Sequence, residues 1–151
     1  MEATMKATTE STRQATRQAA TQTTRPKTGA VIFAKDVPRV ARFYEAVLSM
    51  TATTLEGGDL VLESADLQLV IHTIPSRIAK TIAITTPPKL RTDTAMKPFF
   101  AVDCLADART RAVAAGGALN PPRQEFETRG FRACDGHDPE GNVVQFRESA
   151  S

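Results

Sequence analysis

Near the end of the chain a tight turn runs into an apolar strand, Asp138-Pro139-Glu140-Gly141-Asn142 followed by Val143-Val144-Gln145-Phe146. Pro139 sets the φ that position i+1 of a turn requires, and Gly141 takes positive φ without a Cβ clash. The β-branched and aromatic residues that follow suit a strand. A turn of this kind must reverse the chain from one strand into the next, so it dictates a sheet. The question is what the rest of the chain supplies to that sheet.

Upstream, one order of elements occurs twice. Residues 30–34 read as a strand, Asp36 as a helix cap with Pro38 in the first turn, and Val40, Phe43, Tyr44, Val47 and Leu48 recur at helical spacing over 37–50. Strands are predicted over 51–56, 60–63 (after Gly57-Gly58) and 67–74, and the imperfect alternation of the last predicts cover on both faces. A connector over 75–93 holds Pro87-Pro88 and a predicted short strand at 80–85. The pattern then restarts with a strand at 99–102, a helix opened by Asp103 or Asp107 that runs to Ala115, and a Gly116-Gly117 stop. Strands near 123–127, 131–134 and 142–147 complete it. Phe33-Ala34-Lys35-Asp36 recurs as Phe100-Ala101-Val102-Asp103 at an offset of 67. This is a two-fold β-α-β-β-β repeat.

Residues 1–28 stand apart. They are Thr, Ala, Gln and Arg with almost no large apolar side chain, so ordering them gains little burial, and they read as a disordered tail. An Arg- and Thr-bearing leader is also the composition of an organelle transit peptide. The tail carries five basic residues against two acidic, and the remainder fourteen against fifteen. The net charge of +2 is therefore a property of the tail, and the folded part carries no nucleic-acid stripe. No apolar run reaches the roughly 18 residues of a membrane-spanning helix. Cys104 and Cys134 form neither a disulfide framework nor a metal motif, and each reads as an inert thiol in a reducing cytoplasm.

Two segments carry a family resemblance. Val31-Ile32-Phe33-Ala34-Lys35-Asp36 with Phe43-Tyr44 and Leu48, and the Asp138 to Phe146 turn and strand, resemble the opening and closing of vicinal oxygen chelate proteins. That superfamily includes glyoxalase I, extradiol dioxygenases and bleomycin-resistance proteins. The usual Leu-Gly helix ending is Leu48-Ser49 here. The resemblance covers about residues 29–148 and implies an α+β fold in one domain. Two tandem β-α-β-β-β modules, 29–75 and 96–148 joined by a connector at 76–95, would form a curled, cup-shaped mixed sheet. The family pattern aligns the two strand-to-helix steps at an offset of 68. The ligand site would lie inside the cup, often completed by a second module or subunit.

The resemblance also implies where a metal would sit. Family metalloenzymes draw ligands from the first and last strand of each module, because a catalytic divalent ion needs three or four converging N or O donors. The first-strand positions are Gly29 (or Ala30) and Lys97 (or Met96), and a protonated ammonium at Lys97 repels a cation. The last-strand positions fall among Gln68, Val70 and His72 in one module and on Gln145 in the other, where relatives carry an acid. No metal and no cofactor are expected on this count. A divalent ion would need ligands from elsewhere, such as Glu63, Glu125, Glu127 or His137.

Each candidate site residue has two readings. His72 is a base or hydrogen-bond donor to a ligand, or a strand-end histidine satisfied by backbone near Pro75. Lys97 receives an anionic ligand, or is an edge lysine reaching to water. Gln145 binds a polar group through paired donor and acceptor, or is a buried amide satisfied by neighbours. Arg132, with Arg129, Arg91 and Arg77, is a candidate anion clamp because guanidinium pairs bidentately with carboxylate and phosphate. His137 reads as a solvated turn residue, and Phe99, Phe100, Phe126, Phe131 and Tyr44 as core.

The resulting expectation is a glyoxalase- and bleomycin-resistance-like protein of the cytoplasm that binds a small molecule in the cup without a catalytic metal. The alternative is an enzyme of the superfamily. It would be a lyase, isomerase or dioxygenase with displaced metal ligands, or a metal-free enzyme using His72 as base with Lys97 or an arginine as stabiliser. Neither nucleic acid nor membrane is an expected partner. A homodimer is expected, because curled sheets leave open edges that association covers.

Overall fold

A computed structural model of the chain describes residues 25–150. The expectation of disorder concerns residues that lie mostly outside that range. Inside it, the first strand begins at Thr28, two residues earlier than the strand expected over 30–34. Just before it the Lys27 ammonium donates to the Ser64 carbonyl at 2.8 Å.

The first module is β1 (Thr28–Ala34), α1 (Val37–Leu48), β2 (Thr51–Thr54), β3 (Leu60–Glu63) and β4 (Leu67–Thr73), with sheet order β1-β4-β3-β2. A short helix, α2 (Ser76–Ala79), opens the connector. The second module is β5 (Phe99–Ala101), α3 (Leu105–Ala114), β6 (Ala118–Leu119), β7 (Phe126–Thr128), β8 (Phe131–His137) and β9 (Val143–Ser149). Its sheet runs β5-β9-β8-β6, with β7 also on β8. In both modules the first strand pairs in parallel with the last, and the remaining pairings are antiparallel. The helices start at Val37 and Leu105, 68 residues apart. Ile32 and Phe100 both belong to the core side, so 68 is the structural offset of the repeat.

Helix α1 forms where the apolar spacing placed it. The Asp36 carboxylate accepts from the Arg39 amide at 3.0 Å, Pro38 lies in the first turn, and Ser49 ends the helix at φ 52°. Its buried face, Val40, Phe43, Tyr44 and Val47, covers the first sheet and reaches the second. Tyr44 meets Phe100 at 5.7 Å between ring centroids, and Phe43 meets Phe146 at 6.4 Å. One continuous core thus joins both modules.

Several local expectations are corrected. Strand β4 is buried on one face only: Leu69 and Ile71 are inaccessible, while Gln68, Val70 and His72 opposite them stay partly open. The strand expected over 80–85 is absent, because no neighbouring strand pairs with it; the Ile82 carbonyl instead accepts from the Lys35 ammonium at 2.6 Å. Helix α3 is opened by neither Asp103 nor Asp107. Its Leu105 amide donates to the Glu148 carboxylate at 2.5 Å, so the acceptor comes from β9. Of the five aromatics read as core, Tyr44 and Phe100 are buried, whereas Phe99, Phe126 and Phe131 are exposed.

The Asp138-to-Asn142 turn lies at the junction of the modules. One Asp138 oxygen accepts from the amides of Glu140 (2.9 Å) and Asn142 (3.0 Å). The other accepts from the Asn142 side chain (2.7 Å) and the Tyr44 hydroxyl (3.0 Å). Burial pushes the Asp138 carboxyl above its usual range against the pull of these donors, and burial followed by the adjacent Asp138 raises the Tyr44 phenol. Glu140, 2 % exposed, reaches into the first module. Its carboxylate accepts from the Lys35 amide at 2.9 Å and the Asp36 amide at 2.8 Å. Glu140 therefore holds the corner between β1 and α1 from a different module.

Candidate functional site

Strand periodicity assigns the face opposite the helices. On the first sheet it carries Val31, Phe33, Val61, Val70 and His72; Val31 and Phe33 are each 55 % exposed. On the second it carries Phe99, Gln145, Asp135, Arg147, Phe126 and Phe131. This open face exposes several large apolar side chains, Val31, Phe33, Phe99, Phe126 and Phe131, around a polar group, an arrangement that marks a binding surface better than a scatter of single exposed residues does. At the seam between the sheets is a cleft of about 300 Å³, walled by Val31, Phe33, Met96 and Val143 and carrying Arg91, Thr94 and Asn142.

The structure brings Lys97 and Gln145 together. The Gln145 amide nitrogen donates to Asp135 at 3.0 Å, and its oxygen accepts from Arg147 Nε at 2.6 Å. The Lys97 ammonium donates to the other Asp135 oxygen at 2.7 Å. The Arg147 guanidinium lies 3.7 Å from the centre of the Phe99 ring. Lys97, just before β5, forms one polar ladder with Asp135 on β8 and Gln145 and Arg147 on β9, with two cations for one carboxylate. Gln145 is thus a buried amide with both ends occupied, and only the outer edge of the ladder offers donors to a ligand.

His72 stands on the first sheet at the same face. Its Nδ1 hydrogen-bonds Asp59, which lies directly across the β3–β4 hairpin and also accepts from the Thr73 amide at 3.0 Å. The hydrogen bond from His72 holds the Asp59 carboxyl below the usual range, and the Thr73 amide adds to it. The His72 ring meets Phe33 edge-on at 5.4 Å. Its partner is a carboxylate, not the backbone near Pro75.

Arg132 is placed elsewhere. It pairs with Glu148 in the β8–β9 register, whereas Asp135 pairs with Gln145, so it projects from the helix-bearing face. There its guanidinium sits 3.6 Å from both Glu125 and Glu148, and Arg109 also binds Glu125 at 2.5 Å. Arg132 and Gln145 cannot contact one ligand from opposite faces of a sheet. Burial pushes the Cys134 thiol above its usual value while Arg109 opposes the shift, which fits an inert thiol.

At the strand positions where the resemblance would put a metal, the residues do not supply three converging donors. Gly29 offers no side chain, and a Cβ there would lie 2.1 Å from the Gln68 carbonyl oxygen. Gln68 is bonded to Glu63 at 2.7 Å, and Glu63 lies beside Lys27. In the second module the only carboxylate of the ladder, Asp135, is already shared by Lys97 and Gln145. Glu125 belongs to the arginine cluster on the other face, and His137 Nδ1 contacts the Asp138 carbonyl at 3.0 Å. Among the described residues no three His, Cys, Asp or Glu side chains converge.

Asp59, Asp135 and Arg147 were not singled out in the sequence, and Phe99 was read there as core. The signal for the first three is register. Once β3 and β4 form a hairpin, Asp59 falls opposite His72, and once β8 and β9 pair, Asp135 falls opposite Gln145 with Arg147 two residues along.

Two sheets of this topology, helices on one side and an open face on the other, define the glyoxalase/bleomycin-resistance/dioxygenase fold of the vicinal oxygen chelate proteins. Solved structures bear this out. A glyoxalase/bleomycin resistance protein/dioxygenase family enzyme from Burkholderia phytofirmans PsJN superposes with a TM-score of 0.59 at 17 % identity, over 81 % of this chain and 97 % of that one. A glyoxalase/bleomycin resistance protein from Albidiferax ferrireducens T118 gives 0.59 at 16 %, over 82 % and 98 %. The fosfomycin resistance protein FosX from Listeria monocytogenes gives 0.58 at 14 %, over 83 % and 94 %. No family model matches the chain, and no curated protein matches its sequence. Among the described residues no helix is long and apolar enough to cross a membrane.

Proposed function

We propose that this protein binds a small organic molecule in the cleft between its two modules, through apolar walls and side-chain hydrogen bonds, with no metal in the contact. The observation that carries the reading is the cleft itself. Val31 and Phe33 from one module and Val143 from the other form apolar walls around a few polar groups, which is the usual make-up of a ligand pocket. The expected result of a fragment screen by thermal shift is a set of stabilising compounds, with elemental analysis of the purified protein finding no stoichiometric metal. Tightly bound divalent metal at one equivalent per chain would overturn the reading.

One observation favours a second reading, a metal-free enzyme. Asp59 holds His72 by Nδ1, and Nε2 has no hydrogen-bond partner among the described residues. A carboxylate on one ring nitrogen fixes the tautomer and leaves the other to accept a proton from a bound molecule. In that case His72→Ala abolishes any turnover found in a substrate screen while the cleft still binds. Turnover that survives the substitution removes His72 from the role.

A further inference from the structure

Arg91 lies in the connector, yet its position is fixed. Its amide donates to the Gly141 carbonyl at 2.8 Å, and it forms an isolated parallel bridge with Asn142. The backbone of the Asp138-to-Asn142 turn thus sets where its side chain begins. That side chain lines the cleft between the modules. Its Nη2 is buried and has no hydrogen-bond partner. No ion pair or side-chain hydrogen bond involves the Arg91 guanidinium among the described residues. Asp93, two residues on, makes none, and Glu140, across an adjoining cleft, is taken up by Lys35 and Asp36.

A guanidinium cannot shed its proton to escape this situation. Burying one of its donors without a partner destabilises a fold more than an exposed ion pair ever stabilises one. Water fills a hydrogen-bonding gap but supplies no opposing charge. Lys97 and Arg147 differ from Arg91 on this point, because each is already engaged within the ladder.

We infer that Arg91 is the anchor for an anionic group of the ligand, a carboxylate or a phosphonate, whose apolar body lies against Val31, Phe33 and Val143. The inference rests on the proposed binding role of the cleft and adds the chemical class of what enters it. Guanidinium suits this task because its planar fork matches both anions bidentately. The apolar walls select an anion that carries a ring or a branched chain over a free inorganic ion.

The test titrates the full-length protein with benzoate, phenylphosphonate and neutral benzamide, following backbone amides by heteronuclear NMR and melting by thermal shift. Benzoate or phenylphosphonate is expected to shift the amides of Val31, Phe33, Asn142 and Val143, with benzamide at least about tenfold weaker, the scale of one charged hydrogen bond. In Arg91→Met the anion response is lost, and the ligand-free protein melts no lower than the parent because an unpartnered charge has been removed. Arg91→Lys keeps the charge, loses the fork and retains a weakened response. Benzamide binding as well as benzoate overturns the inference and leaves the binding reading standing. A cleft that responds to none of the three overturns both. An Arg91→Met protein that is markedly destabilised or unfolded, or that still selects the anions, shows that Arg91 is structural and ends the proposal.

Discussion

Replacing Glu140 by alanine is expected to lower stability by about 4 kcal/mol, because a buried carboxylate is removed and the two amides that donate to it lose their acceptor. In a domain of this size that is on the order of 15 °C in melting temperature. The Lys35 and Asp36 amides form the corner between β1 and α1, and both donate to Glu140. Without it both part-buried amides lose their acceptor. Glu140→Gln keeps one acceptor oxygen but turns an NH2 toward the remaining donor, so about half the loss is expected. Thermal or urea unfolding of the two variants beside the parent checks this. An alanine variant that melts within a degree or two of the parent would mean the corner does not depend on the second module.

The next largest effect is expected at a glycine whose neighbour looks more important. Gly116 has φ +86° after helix α3, so it is the helix-stopping glycine. A Cβ on it meets nothing closer than 3.6 Å, so Gly116→Ala costs only the left-handed backbone strain, about 1 kcal/mol. Gly117 is different. A Cβ there would lie 2.4 Å from the His137 carbonyl oxygen and 2.4 Å from the Phe43 ring. Phe43 is fully buried in the joint core, and the His137 carbonyl belongs to the β6–β8 pairing, so neither can move aside freely. Gly117→Ala is expected to cost about 3 kcal/mol. Denaturant midpoints of the two variants test the ranking, and a larger loss at Gly116 would contradict it.

The features legible in the sequence are those whose causes are local. The apolar spacing of Val40, Phe43, Tyr44 and Val47 marks α1 because all four turn to one side of the same helix. The Pro139 and Gly141 turn is legible because its dihedral requirements lie within a few residues. Causes that lie across the fold were hidden. The turn's acid, Glu140, reads as a polar turn residue, and nothing near it in sequence points to amides 105 and 104 residues away. Residues 80–85 have strand composition, but a strand exists only where a neighbour offers hydrogen bonds. Phe99, Phe126 and Phe131 read as core because hydrophobicity alone does not separate the two faces of a sheet when both are apolar. At the site, His72, Lys97 and Gln145 were found as residue types on strands. Their partners Asp59, Asp135 and Arg147 required the strand register, and Arg132 shows the cost of lacking it, since one step of register moves a side chain through the sheet.

The Glu140 contact also orders events in time. During synthesis the first module leaves the ribosome long before residue 140 is made. Its strand and helix can meet, but the corner between them stays open to water until the last hairpin arrives to close it. Such long-range closure slows folding and leaves apolar surface exposed meanwhile. The half-made chain therefore presents Tyr44 and Phe43 without the Phe100 and Phe146 that cover them, and that interval is when aggregation competes most with folding.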